Sequence, residues 1–210
     1  MKEKTKKIIK IVTYVVMVLV IILASFSIWF NLSYSPVVVS GLSMSPTLSD
    51  GDFGYVKGSK NAINNIKRND VIIFNPSTNL DSLYIKRVIA LPNETFYIDS
   101  KTCNIKVNGV EIPQSYISEE IKLKTCINGV SAYLDKEVTL KDNEYFVLGD
   151  NRGNSYDSLH GIGFVKKDNI QGILKMIVAS CSKDSFHQTG SEVCNRNQRT
   201  YYSISEWKYF

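Results

Sequence analysis

Three stretches of the sequence carry side chains that could do chemistry together. The first, residues 39–47, places Ser43 between Gly41 and Pro46 in a segment that is poor in bulky side chains. Pro46 restricts its own backbone and pushes Ser45 towards extended geometry, while Gly41 permits a close backbone approach or a left-handed turn. Taken alone, such a segment is more typical of a turn between two strands. Its serine becomes a nucleophile only if a base removes its proton.

Lys86 is the candidate base, because His160 and His187 lie in polar or irregular stretches that are typical of ordinary surface or loop histidines. A lysine acts as a base only when burial lowers its pKa by several units. Strand alternation places Lys86 on one face with Tyr84 and Val88, which would remove the amine from water. The alternative is a lysine at a strand edge whose ammonium group reaches solvent. The pattern alone favours that alternative.

The third stretch, residues 149–158, holds two acids, an arginine and several asparagine and serine side chains. Loops of this composition are most often self-bonded turns, in which side chains satisfy backbone N–H groups. A functional loop would instead offer a hydroxyl group that orients the amine of Lys86.

A long apolar run lies ahead of these stretches. Residues 11–30 carry no charged side chain and would span about 30 Å as a helix, the thickness of a bilayer core. A cleaved signal peptide would have a shorter apolar region and an Ala-x-Ala-like site, and a buried core helix would be shorter or have a polar face. We therefore predict a single membrane anchor. The lysine-rich residues 1–10 should keep the N-terminus in the cytoplasm by the positive-inside rule, with residues 31–210 outside.

The net charge of +5 is concentrated at the N-terminus. Outside the first ten residues, 20 basic side chains are balanced by 19 acidic ones. A nucleic-acid-binding protein would carry a basic face on its folded part. The composition therefore predicts no nucleic-acid partner.

The remaining chain is typical of a mainly β domain built from many short antiparallel strands. The hairpin signal Asn108-Gly109 joins two of the strand candidates, and residues 114–132 are not assigned to an element. The predicted strands are 36–40, 53–57, 70–74, 83–91, 96–99, 105–107, 110–112, 137–140, 145–148, 164–165 and 170–179. We divide the chain into a basic cytoplasmic tail (1–10), a transmembrane anchor (11–30), an extracytoplasmic β-rich domain (31–180) and a tail of unassigned role (181–210). The aromatic residues of that tail could rest at the bilayer interface or pack on the domain.

The four cysteines would lie in an oxidising compartment if this topology holds. Four cysteines allow three pairings, and nearest neighbours along the chain would give Cys103–Cys126 and Cys181–Cys194. A zinc site is disfavoured, because the sequence has no CxxC pair and only two histidines. We predict no metal and no cofactor.

The three chemistry-bearing stretches resemble the signature boxes of bacterial type I signal peptidases. The matching segments are residues 40–47, 84–92 and 149–158. They occur in the family's order and behind an N-terminal anchor, and the similarity covers roughly residues 8–180. The resemblance implies a membrane-anchored serine endopeptidase of the cell membrane. Such an enzyme cleaves signal peptides from exported preproteins after small-x-small sites, and its partners are those preproteins and membrane lipid.

The same resemblance implies a role for each matching residue. Ser43 would be the nucleophile, Lys86 the general base, and Ser155 the hydroxyl that positions the Lys86 amine. Asp157 would be a structural acid of the same loop. The substrate would bind in extended form along two strands, at Val38, Val39, Ser40, Tyr84 and Ile85.

Three positions depart from the family pattern. Gly41 stands where some relatives have a serine that helps to bind the oxyanion, so a second donor must come from elsewhere. Leu159 stands where an arginine is usual, so Asp157 would need Arg87 or Arg152 as its partner. Asn93 replaces a glycine, and asparagine tolerates a left-handed backbone well.

Two other functions remain open from the sequence. A self-cleaving repressor would share the serine–lysine pair, but it would be soluble and would carry a DNA-binding module. An inactive β-domain that only binds exported chains is the second alternative, with Leu159 as its mark of decay.

Overall fold

The computed structural model describes residues 2–76, 82–127, 132–181, 199–201 and 208–210. The chain divides into two compact units, Met1–Ser35 and Pro36–Phe210. The first unit contains the helix α1 (Lys2–Ser33), which includes the whole predicted anchor. Its segment Glu3–Ser33 is long and apolar enough to cross a membrane, and none of its most apolar window is buried in the structure.

The second unit is built mainly from strands, with two short helices, α2 (Lys60–Asn64) and α3 (Glu119–Ile127). A 3-10 turn, Lys167–Asn169, precedes the longest strand. The strands are β1 (Ser35–Val38), β2 (Phe53–Lys57), β3 (Val71–Phe74), β4 (Tyr84–Ala90), β5 (Thr95–Ile98), β6 (Ile105–Val107), β7 (Val110–Glu111), β8 (Val138–Thr139), β9 (Glu144–Leu148), β10 (Val165–Lys166), β11 (Ile170–Cys181), β12 (Arg199–Tyr201) and β13 (Lys208–Tyr209).

Within the described residues these strands form two sheets. The larger sheet has the order β1-β2-β11-β3-β4-β9-β10, and β12 and β13 also pair with β11. The smaller sheet has the order β7-β6-β5-β8. Among strands β2 to β13, paired strands run antiparallel to each other. The predicted mainly β class, with an apolar N-terminal helix, is confirmed.

The buried core joins the two sheets and also holds the serine segment in place. Phe96 of β5 stacks on Phe146 of β9 with ring centroids 4.1 Å apart, which fixes the small sheet against the large one. A second cluster packs side chains of β2, β3 and β11 around Met44 and Leu48, both fully buried. The chain that follows Ser43 is therefore anchored in the core through Met44 and Leu48.

Most predicted strands coincide with observed ones to within two residues. At the predicted hairpin, Asn108 and Gly109 have φ of +50° and +80°. Asn93 has φ of +64°, as its replacement of a glycine suggested. Helix α3 occupies the stretch that the sequence left unassigned, and β12 and β13 were not predicted.

Cys103 and Cys126 form a disulfide, which confirms one of the two predicted pairs. The bond joins the segment before β6 to α3. The other predicted pair involves Cys194, which lies outside the described residues.

Candidate active site

Ser43 and Lys86 lie in direct contact. Lys86 Nζ donates a hydrogen bond to Ser43 Oγ at 2.7 Å and a second to the carbonyl oxygen of Ile85 at 2.9 Å. The lysine is only 3% exposed. The sequence pattern favoured a strand-edge lysine with its amine in water, and the structure contradicts that interpretation.

The burial of Lys86 follows from the position of its strand. Strand β4 pairs with β3, where Lys86 lies opposite Ile72, and with β9 from Arg87 onward. The Lys86 side chain projects from the sheet towards the serine segment, where the amine contacts Ser43 and the residue is buried. Burial lowers the pKa of Lys86 from 10.5 to about 8, although the carboxylates of Asp157 and Asp150 oppose this by raising it. At pH 7 about one molecule in ten therefore carries the amine in its neutral form.

The backbone around Ser43 is held by a network of short hydrogen bonds. Gly41 has φ of +89°, so the chain turns through a left-handed residue just before the serine. The Asn151 N–H donates to the Ser43 carbonyl at 3.0 Å, and its side-chain amide donates to the Leu42 carbonyl at 3.1 Å. The serine segment and the loop 149–158 are thus fixed to each other.

A buried ion pair anchors the start of that loop to β4. Arg87 donates from Nε and Nη2 to the two carboxylate oxygens of Asp150, at 2.8 and 2.6 Å. The Arg87 guanidinium also lies 4.1 Å from the ring centroid of Tyr116. Arg87 was predicted to support the site, and it is positioned to do so through Asp150.

Arg152 fills the interior of the loop, and its role was missed from the sequence. It is 1% exposed and donates to the carbonyl of Gly149 at 3.1 Å. Its other hydrogen bonds reach Gln114, Tyr116 and Thr125. Burial lowers the pKa of Arg152, opposed by Tyr116 and by the acids of the loop. The segment before α3 therefore packs against the loop, a contact between distant residues that no local pattern indicates.

The partner of Asp157 differs from both predicted arginines. Within the described chain, Arg87 binds Asp150 and Arg152 bonds to groups other than Asp157. Asp157 instead lies 2.9 Å from His160 Nδ1. The same carboxylate accepts hydrogen bonds from the N–H groups of Gly149 at 2.9 Å and Leu159 at 3.1 Å. His160 is therefore not the ordinary loop histidine that the sequence indicated.

Ser155 lies close to the backbone of Ser43 but makes no hydrogen bond to Ser43 or Lys86. Its Oγ is buried and has no hydrogen-bond partner among the described residues. A Cβ atom added at Gly149 would meet both the Ser155 side chain and the carbonyl oxygen of Ser43. The Ser155 hydroxyl therefore lies near the Ser43 backbone and makes no hydrogen bond to the described residues.

A groove of about 360 Å³ opens beside Ser43 and Lys86. All five residues predicted to bind substrate line it, namely Val38, Val39, Ser40, Tyr84 and Ile85. The loop also contributes Asn154 and Tyr156, which were not predicted. The Tyr156 ring meets that of Tyr84 edge-on, with centroids 6.3 Å apart. In the described part of the chain, no group of three or more His, Cys, Asp or Glu side chains could hold a metal ion.

Comparison with known proteins assigns the family. Residues 8–179 match the family described as signal peptidase, peptidase S26. Signal peptidase I T of Bacillus subtilis (strain 168) is 37% identical over 145 residues, which cover 69% of this chain and 73% of that protein. A signal peptidase I of Bacillus amyloliquefaciens is 32% identical over 177 residues, covering 84% and 92%. A crystal structure of a signal peptidase I from Enterococcus faecalis V583 has 30% identity and a TM-score of 0.40, covering 52% of this chain and 96% of that one. The chain therefore belongs to the signal peptidase family, peptidase S26, which confirms the prediction of a serine endopeptidase.

Proposed function

We propose that this protein is a membrane-anchored endopeptidase that removes signal peptides from exported preproteins with a Ser43–Lys86 dyad. The observation that carries the proposal is the 2.7 Å contact between Ser43 Oγ and the Nζ of a lysine that is only 3% exposed. A serine hydroxyl becomes an effective nucleophile when a neutral base lies within hydrogen-bond reach.

The reaction proceeds in two halves. Ser43 Oγ attacks the scissile carbonyl carbon while neutral Lys86 takes its proton. The lysine then returns that proton to the leaving amine, so the peptide C–N bond breaks and the signal peptide remains as an ester on Ser43. A water molecule next attacks the ester carbonyl, again losing its proton to Lys86. The lysine protonates the serine oxygen as the signal peptide leaves, and the enzyme returns to its starting state.

Charge that develops on the carbonyl oxygen needs a donor near the nucleophile. The Ser43 N–H makes no hydrogen bond within the described chain, so it is available for this purpose. The Gly41 N–H, two residues earlier, is already bonded to the side chain of Asp50. We therefore assign the Ser43 amide as the first oxyanion donor.

Ser155 and Asp157 support the lysine in this proposal. The Oγ of Ser155, which has no hydrogen-bond partner among the described residues, can bond the Lys86 amine when substrate is bound, because catalytic hydrogen bonds often tighten only in the complex. Asp157 accepts the Gly149 N–H and so shapes the loop beside Ser43.

Substrate binding uses two strands with open edges. Strand β1 is at the end of the larger sheet. Strand β4 pairs with β9 only from Arg87 onward, so that side of β4 is open at Tyr84 and Ile85. An extended peptide can add its main chain to such edges, while alternate side chains enter pockets. This arrangement suits a signal with small residues at alternate positions, as the small-x-small rule requires.

The N-terminal helix provides the membrane anchor. Five lysines precede the apolar run in the first ten residues, a distribution that retains this end in the cytoplasm. We therefore propose a single-pass protein of the cell membrane, with residues 1–10 in the cytoplasm, 11–30 in lipid and the β domain, 31–180, outside. The nearly neutral charge of the chain beyond residue 10 gives no basis for nucleic-acid binding.

Processing of a preprotein by the full-length protein in detergent tests the proposal. Ser43→Ala and Lys86→Met should each abolish cleavage, and Lys106→Met is the matched control because Lys106 is an exposed lysine of β6. Cleavage by either active-site variant would contradict the dyad. A wild-type protein that binds the preprotein without cleaving it would favour the inactive binding domain instead.

A further inference from the structure

His160 contacts an acidic residue, Asp157, whose charge acts on Lys86. Its Nδ1 lies 2.9 Å from Asp157, whose carboxylate is completely buried. The His160 side chain is 17% exposed. The preceding residue, Leu159, is 1% exposed and belongs to the hydrophobic core. The loop thus buries an apolar side chain at position 159 and supplies the partner of Asp157 from position 160.

Asp157 connects this histidine to the dyad. Its negative charge raises the pKa of Lys86, against the effect of burial. An opposite charge beside a carboxylate reduces the field that the carboxylate exerts on a third group. A protonated His160 therefore reduces the amount by which Asp157 raises the pKa of Lys86. A neutral His160 does not reduce it.

Among the described residues, the other charged groups near Asp157 are two arginines and Asp150. Arg152 acts on Asp157 and Asp150, and an arginine keeps its charge throughout. Asp150 forms an ion pair with Arg87 and, like Asp157, raises the pKa of Lys86. Imidazole is the side chain whose ordinary titration falls between pH 5 and 8. Among these groups, His160 is the one suited to change its charge at working pH.

We propose that His160 is a positioning residue of this enzyme, a titratable counter-ion of Asp157 that keeps Lys86 available as a base when the pH falls. The inference rests on the proposed function, because it concerns the Ser43–Lys86 reaction. His160 acts through Asp157 and takes no part in bond making or breaking. An arginine in its place would supply the same charge at every pH.

The size of the effect follows from Coulomb's law. A unit charge about 10 Å away, at an effective dielectric constant between about 20 and 80, moves a pKa by roughly 0.3 to 1.2. Below the pKa of the base, its neutral fraction changes tenfold for each pKa unit. Loss of the histidine charge should therefore reduce kcat/KM at low pH by roughly 2- to 16-fold, with little change at high pH.

The test is the pH profile of kcat/KM for preprotein cleavage by the full-length protein. His160→Gln retains hydrogen-bonding capacity but cannot become charged. We expect the ratio of wild-type to His160→Gln activity to rise by roughly 2- to 16-fold as the pH falls from 8 to 5.5. His160→Arg should restore activity at low pH and move the acid limb to a lower pH than in the wild type. His187→Gln, at the other histidine of the chain, is the matched control.

Each outcome decides the inference. A wild-type to His160→Gln ratio that does not vary with pH would show that the histidine only supports the fold, and the inference would fail. An acid limb unchanged in His160→Arg would have the same consequence, even if His160→Gln proved unstable. Ser43→Ala, assayed in parallel, distinguishes failure of the proposed function from failure of the role of His160. Continued activity of Ser43→Ala would overturn the proposed function. An inactive Ser43→Ala, together with a wild-type to His160→Gln ratio that does not vary with pH, would overturn only the role of His160.

Discussion

Replacing Lys86 with methionine should abolish cleavage and yet raise the free energy of unfolding at neutral pH. Methionine has a similar length and no charge, so it can occupy the same buried space. The wild-type protein must hold an ammonium group in a site that is 3% exposed. The lowered pKa of Lys86 measures the free energy that this burial costs.

The magnitude follows from the two pKa values. The pKa of Lys86 falls from 10.5 to about 8, and each pKa unit corresponds to about 1.4 kcal/mol, so the charged lysine costs about 3 kcal/mol. Methionine loses the hydrogen bonds to Ser43 and to the Ile85 carbonyl, each worth about 1 kcal/mol. The net gain at pH 7 should therefore be about 1 to 2 kcal/mol.

The free energy of unfolding of the wild type should increase with pH. Because the pKa of Lys86 is lower in the folded than in the unfolded state, the unfolded state binds more protons between about pH 8 and 10.5. The unfolding free energy of the wild type should rise across that window and be lowest below it. Lys86→Met should lack this rise, so the wild type should be the more stable protein at pH 10.

Urea unfolding of the full-length protein in detergent, followed by circular dichroism at pH 7, 8.5 and 10, measures both effects. Lys106→Met is the control, since Lys106 is an exposed strand lysine. Equal pH dependence in the wild type and Lys86→Met, or a variant destabilised by more than about 1 kcal/mol at pH 7, would show that burial of the charged lysine does not destabilise the fold.

Three further predictions concern the supports of the site. Gly149→Ala should lower kcat/KM by about 10- to 100-fold, because its Cβ would lie 2.5 Å from the Ser43 carbonyl oxygen; wild-type activity would contradict this contact. Asp150→Asn should lower the unfolding free energy by roughly 3 to 5 kcal/mol, because it leaves a buried arginine unpaired, and a loss below about 1 kcal/mol in urea titrations would count against it. The variant with both Cys103 and Cys126 changed to Ala should lose about 3 kcal/mol, since the disulfide closes a loop with a sequence separation of 23. A reductant that destabilises this variant as much as the wild type would contradict that assignment.

The strands were predictable because their signals are local. Short β-branched runs bounded by turn residues define β3 and β6, and Asn108-Gly109 identifies the hairpin between β6 and β7. The tail strands β12 and β13 were missed because they form by pairing with β11, which lies earlier in the chain. Their formation depends on tertiary contacts that a strand pattern does not encode.

The site was predictable in its residue types but not in its contacts. The resemblance identified Ser43 and Lys86, whereas pattern alone placed the lysine amine in water, because neither its pairing partner nor its depth in the sheet is visible locally. The partner of Asp157 was predicted as an arginine because only charge was considered. The structure assigns His160, three residues further along the same tight loop, where backbone geometry decides which side chain reaches the carboxylate. The three-residue spacing between Asp157 and His160 was the sequence signal that could have identified this contact.

The rate at which a serine-directed acylating inhibitor labels Ser43, measured as a function of pH, tests the central claim most directly. The claim is that the buried, neutral amine of Lys86 activates this hydroxyl. We expect a labelling rate that rises with pH, has a midpoint near the Lys86 pKa of about 8, and vanishes in Lys86→Met. A rate that is constant between pH 6 and 10, or one that persists in Lys86→Met, would contradict it.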